Sequence, residues 1–488
     1  MQDKIISLIG LQLYTKIIII DSENLWQKGN CDSAEALIDW KIKHISDEME
    51  LRQYYECEVR GNADQRFLIV IGDDKLYVPS DIKKQFEIKK ITLDTIFPVL
   101  NVEAVRSLPG VDYSRILRYI SYFNLERMSR KATLKFCTKT IYEDPKYAFE
   151  LMQKAEELAK QATTHRDWNE VAQLYGQAAH YQHSVRKLDG FAELRMSIEE
   201  AFYQWIMGKY NSLSGSVDKQ RPVLLSKTAD YIRKDASKVA LIVMDGMSFE
   251  NFYAIKEYFI REPFSFEISS SFSFLPTVTS VARQCIFSGQ LPRDNTKPFS
   301  LDNEEKQWRS YWKMAGLKDQ DIGFYKSEDP DYNPHMKAVG IVVNICDDLM
   351  HAELQGLTGL NQGLINWLNT GNLKRLLSKL LDDRFSIYMT SDHGNTSAIA
   401  QGRFLKPGLL AEPASRRAVI YQSFDDAPEL KKFSTIKCNS SYLPDGYDAY
   451  LFDVDACYGD KDKEYITHGG MTLEEVIVPF VRIGEYDG

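Results

Sequence analysis

The sequence predicts a mixed α/β protein whose C-terminal half is a central sheet flanked by helices. β-branched runs that end in acidic residues occur in both halves of the chain, for example Lys16–Asp21 and Val239–Asp245, and such runs are typical of buried parallel strands. Helix-length segments with little Gly or Pro lie between them. The 488 residues, 44% hydrophobic and 26% charged, suffice for two or three packed domains.

Three domains are predicted from these patterns. Residues 1–105 form a small N-terminal α/β domain, residues 106–235 a helical middle domain, and residues 236–488 a C-terminal α/β domain. The predicted helices of the middle domain are Tyr142–Ala162, Trp168–Lys187 and Phe191–Tyr210. Four acidic residues of the first domain follow predicted strands and are interpreted as helix caps and loop residues, with metal binding as the alternative: Asp21, Glu23, Asp73 and Asp74.

Charge and composition exclude some functions. A net charge of −9 argues against a protein that coats nucleic acid through its overall charge, although a local basic groove stays open. The longest apolar run, Val239–Met244, is far shorter than the ~20 residues that span a bilayer. Seven scattered cysteines without a CxxC pair fit reduced thiols. We therefore expect a cytoplasmic protein with no membrane partner.

Five segments of the C-terminal domain each carry a metal-competent residue at or near the end of a predicted strand. They are Asp245-Gly246, Thr279 with Arg283 beyond the break at Pro276, Asp347 with His351, Asp392-His393-Gly394, and His468-Gly469-Gly470. Mixed aspartate and histidine ligands suit zinc or manganese better than calcium, which prefers oxygen ligands alone.

Thr279 is predicted to lie at a helix N-terminus. Unpaired backbone N–H groups and the helix dipole would stabilise an alkoxide and an incoming phosphate there. Arg283 falls on the same helix face and could add positive potential. Taken alone, Thr277 or Thr279 could be only a helix cap and Arg283 only a surface cation. Together with three carboxylates, a deprotonated Thr279 gives a charge of about −4, which two divalent ions would neutralise.

In order and spacing, these motifs resemble the alkaline phosphatase superfamily. Within it, Leu275–Gly289 and His468–Phe480 are similar to two signature stretches of the PglZ domain. The resemblance spans about half of the chain and implies an alkaline-phosphatase-like central sheet flanked by helices in residues 236–488. Gln284 stands where many PglZ domains have Asn, which leaves a substrate contact at that position open.

The resemblance also implies the roles of the site residues. Thr279, rather than Thr277, would be the nucleophile, because the second threonine of the Pro-Thr-x-Thr motif has that role in the superfamily. Two divalent ions, zinc or alternatively manganese, would be bound. Their implied ligands are Asp245, Thr279, Asp392 and His393 for one ion, and Asp347, His351 and His468 for the other.

The function implied is a metal-dependent phosphodiesterase that acts on nucleotides or on DNA or RNA. PglZ proteins belong to bacterial phage-defence systems of the BREX type, so other defence proteins are expected partners. Two alternatives stay open at this point. One is a phosphomonoesterase, including a phosphoprotein phosphatase, and the other is a scaffold of a defence complex with a structural metal site. Residues 1–235 carry no catalytic signature, as an interaction module would.

Overall fold

A computed structural model describes residues 1–62, 64–108, 110–295, 297, 299–352, 356–403, 415–422 and 428–485. The chain forms two compact units, Met1–Tyr142 and Glu143–Gly488. The predicted domain boundaries at residues 105 and 235 are not tested by this division and stay predictions.

The first unit contains a parallel sheet in the order β2-β3-β1-β4. Its strands are β1 (Lys16–Ile20), β2 (Trp40–Ile45), β3 (Arg66–Ile71) and β4 (Glu87–Lys90). Its helices are α1 (Gln2–Ile9), α2 (Leu25–Lys28), α3 (Glu48–Tyr54), α4 (Ser80–Lys83), α5 (Leu93–Ile96), α6 (Val102–Arg106), α7 (Tyr113–Tyr122), α8 (Arg130–Lys135) and α9 (Ile141–Glu143), the last of which crosses the unit boundary in sequence.

Two acidic residues after β1 have structural partners. Both carboxylate oxygens of Asp21 accept backbone hydrogen bonds, from Leu25 and Trp26, at the start of α2. Glu23 accepts from the backbone of Leu93 and pairs with Arg106. These contacts support the interpretation of the strand-end carboxylates as caps and loop anchors.

The second unit is built on a mixed sheet of six described strands in the order β6-β16-β9-β5-β8-β7. Smaller sheets have the orders β14-β10-β15 and β11-β13-β12. The strands of the unit are β5 (Val239–Met244), β6 (Phe264–Phe272), β7 (Ile322–Tyr325), β8 (Ala338–Val343), β9 (Ser386–Thr390), β10 (Thr396–Ala400), β11 (Ala418–Gln422), β12 (Thr435–Lys437), β13 (Tyr447–Phe452), β14 (Ala456–Cys457), β15 (Glu464–Thr467) and β16 (Ile477–Glu485).

Strand direction brings several chain segments to one edge of the large sheet. β9, β5, β8 and β7 are parallel neighbours, and β16 runs antiparallel between β9 and β6. β6 therefore runs in the same direction as the parallel set. Every residue of β5 and β8 is buried, which explains their continuous apolar sequences. The carboxyl ends of β5, β6, β8 and β9 consequently lie at the same edge.

Helices flank this sheet, as the sequence predicts. The three predicted middle-segment helices are present as α10, α11 and α12, with ends shifted by a few residues. α11 packs on α14, α14 on α18, and α15 on α13 and α16. The helices of the unit are α10 (Pro145–Gln161), α11 (His165–Ser184), α12 (Phe191–Lys209), α13 (Thr228–Asp235), α14 (Phe249–Tyr258), α15 (Thr279–Ser288), α16 (Glu304–Met314), α17 (Ile345–Ala352), α18 (Gly356–Leu368), α19 (Asn372–Asp382) and α20 (Leu473–Val476).

Within the described parts of the chain, no helix combines the length and the apolar character needed to cross a bilayer. All seven cysteines are free thiols, and Cys57 is the exposed one among them.

The close packing of α11 on α14 depends on Gly176. A Cβ at this position would lie 2.5 Å from the Cβ of Phe249. We expect Gly176→Ala to lower the free energy of unfolding by about 1–3 kcal/mol, because the helices must separate. Gly208 of α12 has no atom within 4 Å of an added Cβ. Gly208→Ala should instead raise that free energy by about 0.5–1 kcal/mol through helix propensity. Urea unfolding of both variants is the measurement, and equal stabilisation by both would contradict the packing account.

Candidate active site

Polar residues collect where the buried strands of the large sheet end. Asp245 follows β5, Asp392 and His393 follow β9, and Thr279 opens α15 after β6. Pairing of Val243 in β5 with Thr390 in β9 places these two exits side by side. The edge of the sheet is where ligands bind in such folds.

Asp245, Asp392 and His393 form a compact cluster. One ligand atom from each residue lies within 4.8 Å of the others, and all three side chains are buried. His393 Nε2 is 3.9 Å from Asp245 Oδ1 and 3.6 Å from Asp392 Oδ2. Among the residues that the structure describes, this is the one group of three or more acidic, histidine or cysteine side chains arranged so closely.

Thr279 contacts this cluster through His393. The Thr279 hydroxyl lies 2.9 Å from His393 Nε2, while His393 Nδ1 lies 2.9 Å from the carbonyl oxygen of Gly394. Because a carbonyl can only accept, Nδ1 carries the proton and Nε2 keeps its lone pair. The Thr279 hydroxyl therefore donates to Nε2. The Thr279 oxygen thus lies within hydrogen-bonding distance of the histidine nitrogen that is nearest to the two carboxylates.

Arg283 is engaged on all three guanidinium nitrogens. Nη1 donates to Asp245 Oδ2 at 2.6 Å, and Nε and Nη2 donate to the two oxygens of Glu304 at 2.6 and 2.8 Å. The arginine is buried, and burial by itself would lower its pKa. The charges of Asp245 and Glu304 outweigh burial and raise the pKa above its ordinary value. Arg283 is thus a permanent cation beside the cluster.

Two buried carboxylate oxygens of the cluster accept no hydrogen bond from any described residue. They are Asp245 Oδ1 and Asp392 Oδ2. Buried carboxylates are normally paired, because desolvation of the charge is costly. Burial first, and the charge of Asp245 next, raise the pKa of Asp392 well above its ordinary value. A divalent cation among these oxygens would satisfy both of them, so the donor set fits such an ion.

The members of the second implied ligand set differ in environment: His468 is buried beside His393, whereas Asp347 and His351 are partly exposed, and the three do not form a close group. The ring of His468 stacks on that of His393, with centroids 3.9 Å apart. His468 Nδ1 donates to the carbonyl of Thr277, which leaves the lone pair on Nε2. Asp347 and His351, at the start and end of one helical turn of α17, are 3.3 Å apart, and their side chains are 22% and 46% exposed. The site thus opens to solvent on the side of this pair.

Asp347 and His351 stabilise each other's charged forms. The hydrogen bond with Asp347 raises the pKa of His351. Burial alone would raise the pKa of Asp347, but His351 and the nearby histidines lower it overall. Asp347 Oδ1 is a further buried carboxylate oxygen to which no residue of the described chain donates.

Two glycines permit the close approach of these loops. Gly246 has φ of +74°, and a Cβ there would lie 2.6 Å from Met350 Cε. A Cβ on Gly394 would lie 1.8 Å from the carbonyl oxygen of Glu474. A side chain at either position would push apart the segments that carry the candidate ligands.

Thr277 holds the loop that carries His468. Its hydroxyl donates to the carbonyl of Gly470 and accepts from the N–H of Gly469. Both capacities of that hydroxyl are therefore used by the backbone, whereas the Thr279 hydroxyl points at His393. The Thr277 hydroxyl is thus committed to the loop, whereas the Thr279 hydroxyl contacts a member of the cluster.

Gln284 is also engaged with the protein itself. Its amide donates to the carbonyls of Ser280 and Lys297, and its oxygen accepts from Gln307. The side chain is buried, so the structure gives it a role in packing the loop after α15.

Further residues that support the site escaped sequence reasoning. Glu304 opens a run of charged residues that is typical of a solvated helix face. Tyr175 and Arg195, on α11 and α12, bind Glu474 next to the His468 loop, at 2.6 and 3.0 Å. Glu199 accepts from the backbone of Leu473 at 3.1 Å. The capping box of Thr472 with Glu475 is a local sequence pattern that could have drawn attention to this segment.

Comparison with known families identifies the segment that carries most of the site. Residues 223–406 match the family described as the BREX system PglZ alkaline phosphatase-like domain. The matched segment contains Asp245, Thr279, Asp392 and His393 and ends before His468. No curated protein matches the chain.

Solved structures with similar parts share little sequence with the chain. Murine ectonucleotide pyrophosphatase/phosphodiesterase 5 is 12% identical, with a TM-score of 0.35, over 50% of this chain and 87% of its own. The human protein of that name is 14% identical, with a TM-score of 0.33, over 51% and 87%. Phosphonoacetate hydrolase from Sinorhizobium meliloti 1021, in complex with phosphonoformate, is 13% identical, with a TM-score of 0.36, over 50% and 89%.

The raised pKa of Asp392 leads to a test on the metal-free protein. The folded state binds the Asp392 proton more tightly than the unfolded chain, so its contribution to stability is lost as pH rises from the ordinary carboxyl range through the raised pKa. At pH 8 without metal, we expect Asp392→Asn to raise the free energy of unfolding by about 0.5–2 kcal/mol. At pH 5 the gain should be smaller.

Thermal unfolding in EDTA at the two pH values measures this effect, and added Zn²⁺ should stabilise the wild type more than Asp392→Asn. The exposed Asp331 provides the control, and Asp331→Asn should change neither result. A metal-free Asp392→Asn protein that is less stable than the wild type at both pH values would contradict the electrostatic account.

Proposed function

We propose that the protein is a metal-dependent phosphoester hydrolase, because residues 223–406 match the PglZ alkaline phosphatase-like domain. The proposed substrates are phosphodiesters of nucleotides or nucleic acids, and the proposed nucleophile is Thr279. The observation that carries the proposal is the convergence of two unsatisfied carboxylate oxygens and His393 Nε2 beside the Thr279 hydroxyl.

The proposed ligands are those that the family resemblance implies, and the first set contains the compact cluster. Asp245, Thr279, Asp392 and His393 would hold one divalent ion. The second ion would be held by Asp347, His351 and His468. Bound there, zinc or manganese would favour ionisation of the Thr279 hydroxyl and stabilise the charge that develops on phosphate oxygens.

The chain's own residues prepare the reaction. Thr279 is the first residue of α15, so the helix N-terminus favours negative charge on its oxygen. The Thr279 hydroxyl gives up its proton to solvent, its oxygen attacks phosphorus as the bond to one alcohol breaks, and water protonates that alcohol. A second water molecule then hydrolyses the resulting threonyl phosphodiester to a phosphomonoester and restores the Thr279 hydroxyl. Arg283 holds Asp245 in place and adds positive potential next to the reacting group. The buried environment of Thr279 strengthens these interactions by excluding water.

The charge of the site supports a diester substrate. The acidic side chains of the site carry four negative charges, on Asp245, Asp347, Asp392 and Glu304. Arg283 and Lys326, the latter paired with Glu304, carry two positive charges, so these residues sum to −2. With neutral histidines, two divalent ions and an ionised Thr279, the net charge becomes about +1. A monoanionic diester balances this charge, whereas a dianionic monoester exceeds it.

Hydrolysis should require the Thr279 hydroxyl. We expect Thr279→Ala to lower turnover of bis-p-nitrophenyl phosphate, in the presence of Zn²⁺ or Mn²⁺, by about a thousandfold or more, because the nucleophile is lost. Thr279→Ser keeps the hydroxyl and should retain measurable activity. Thr277→Ser keeps the contacts to Gly469 and Gly470 and serves as the matched control, with activity close to the wild type.

Activity that survives Thr279→Ala would refute the assigned nucleophile.

The family description also supports a role in phage defence. In cells whose protection depends on this chain, Thr279→Ala should remove protection along with hydrolysis. Full protection by an inactive variant would instead favour a scaffold in the defence complex.

Diesters should be better substrates than monoesters. With the same metal, we expect kcat/KM for bis-p-nitrophenyl phosphate to exceed that for p-nitrophenyl phosphate by about tenfold or more, the effect of roughly 1.4 kcal/mol of unbalanced charge. Initial rates over a range of both substrates provide the comparison. The reverse preference would identify a phosphomonoesterase and leave the metal-centre assignment intact.

A further inference from the structure

A buried row of alternating charges extends from Asp245 to the protein surface. Arg283 joins Asp245 to Glu304, and Lys326 Nζ lies 2.7 Å from Glu304 Oε2. The Glu304 side chain is completely buried, whereas that of Lys326 is 47% exposed. Three separate parts of the fold supply these contacts: Arg283 from α15, Glu304 from the start of α16, and Lys326 from just after β7.

From this row we propose that Glu304 is a positioning residue of the metal centre and acts through Arg283. The inference rests on the proposed function, since it assigns how one metal ligand is oriented. Glu304 binds the guanidinium at Nε and Nη2, and this two-point contact fixes the plane of the group. The remaining contact, from Nη1, then reaches only Oδ2 of Asp245.

The single contact from Arg283 to Asp245 determines which oxygen of Asp245 is available to bind the ion. Oδ2 is occupied by Arg283, whereas Oδ1 faces His393 Nε2 and receives no hydrogen bond from the described residues. An arginine without the Glu304 contact could rotate and bind both oxygens of Asp245, because guanidinium and carboxylate pair bidentately. Arg283 would then compete with the cation for Asp245. Glu304 prevents that competition by occupying the other edge of the guanidinium.

Glu304 lies between a helix N-terminus and two cationic side chains. Glu304 is the first residue of an eleven-residue helix, whose N-terminus stabilises an anion. Lys326 supplies a second cation on the outer side. The next residue after Glu304, Glu305, is exposed and pairs with Arg309 on the surface. These two adjacent glutamates of α16 therefore differ in environment and provide a matched comparison.

The test compares Glu304→Gln with Glu305→Gln in the full-length protein, by calorimetric titration of Zn²⁺ and Mn²⁺. We expect Glu304→Gln to lower the affinity for one of the two ions by about 10–100-fold, which is the usual effect of losing a partner of a metal ligand. The affinity for the other ion should be unchanged. Hydrolysis should fall at limiting metal and recover at saturating metal. Glu305→Gln should match the wild type in every measurement.

The outcomes separate this inference from the proposed function. If the wild type binds two ions and hydrolyses diesters, but Glu304→Gln has the same affinities, the positioning role is refuted and the proposed function stands. If the wild type binds no divalent ion, both are refuted. Should Glu304→Gln fail to fold, Glu304→Asp decides, since it keeps the charge but shortens the reach. A selective loss of one ion supports the role, and wild-type affinity for both overturns it.

Discussion

Asp245 and Asp392 lie beside each other in the protein interior, at the carboxyl ends of two adjacent parallel strands, and their like charges repel in a medium that screens them poorly. The surroundings offset this repulsion only in part. Arg283 neutralises one oxygen of Asp245, and the N–H groups of Gly246 and His393 bind one oxygen of Asp392. The remaining oxygens, Asp245 Oδ1 and Asp392 Oδ2, lie 3.9 and 3.6 Å from His393 Nε2. The remaining repulsion destabilises the metal-free protein, and a bound cation would relieve it.

The positions of these candidate ligands could be predicted because each follows a run of buried residues. Continuous apolar strands predict a parallel sheet, and parallel strands bring Asp245 and Asp392 to one edge whatever the length of chain between them. Thr279 was predictable from the break at Pro276 and the helix that follows. The contrast between Thr277 and Thr279 needed the structure, because it depends on hydrogen bonds to the distant Gly469 and Gly470.

The supporting residues could not be predicted, since sequence does not distinguish a buried charge from a solvated one. Glu304 and Glu305 are identical neighbours, yet one is enclosed between Arg283 and Lys326 and the other is exposed. Similarly, Arg195 reads as a surface residue of an amphipathic helix. In the structure it binds Glu474, 279 positions further along the chain. Such contacts depend on how helices pack, and local patterns carry no information about that packing.

Helices of the predicted middle domain contact the segment that follows the His468 loop. Tyr175, Arg195 and Glu199 lie in helices α11 and α12 and hold the segment from Leu473 to Glu474, just after the His468 loop. Burial raises the pKa of Glu199 to about 8, which shows how far this network is removed from solvent. These helices belong to the same compact unit as the sheet, and they help to place one of the candidate ligands.

Anomalous diffraction from zinc-loaded crystals would show whether the buried carboxylates form a metal centre. We expect an ion bonded to Asp245, Asp392 and His393, with the Thr279 oxygen turned from His393 toward that ion. Zinc density at other residues only, with the hydrogen bond between Thr279 and His393 intact, would contradict it.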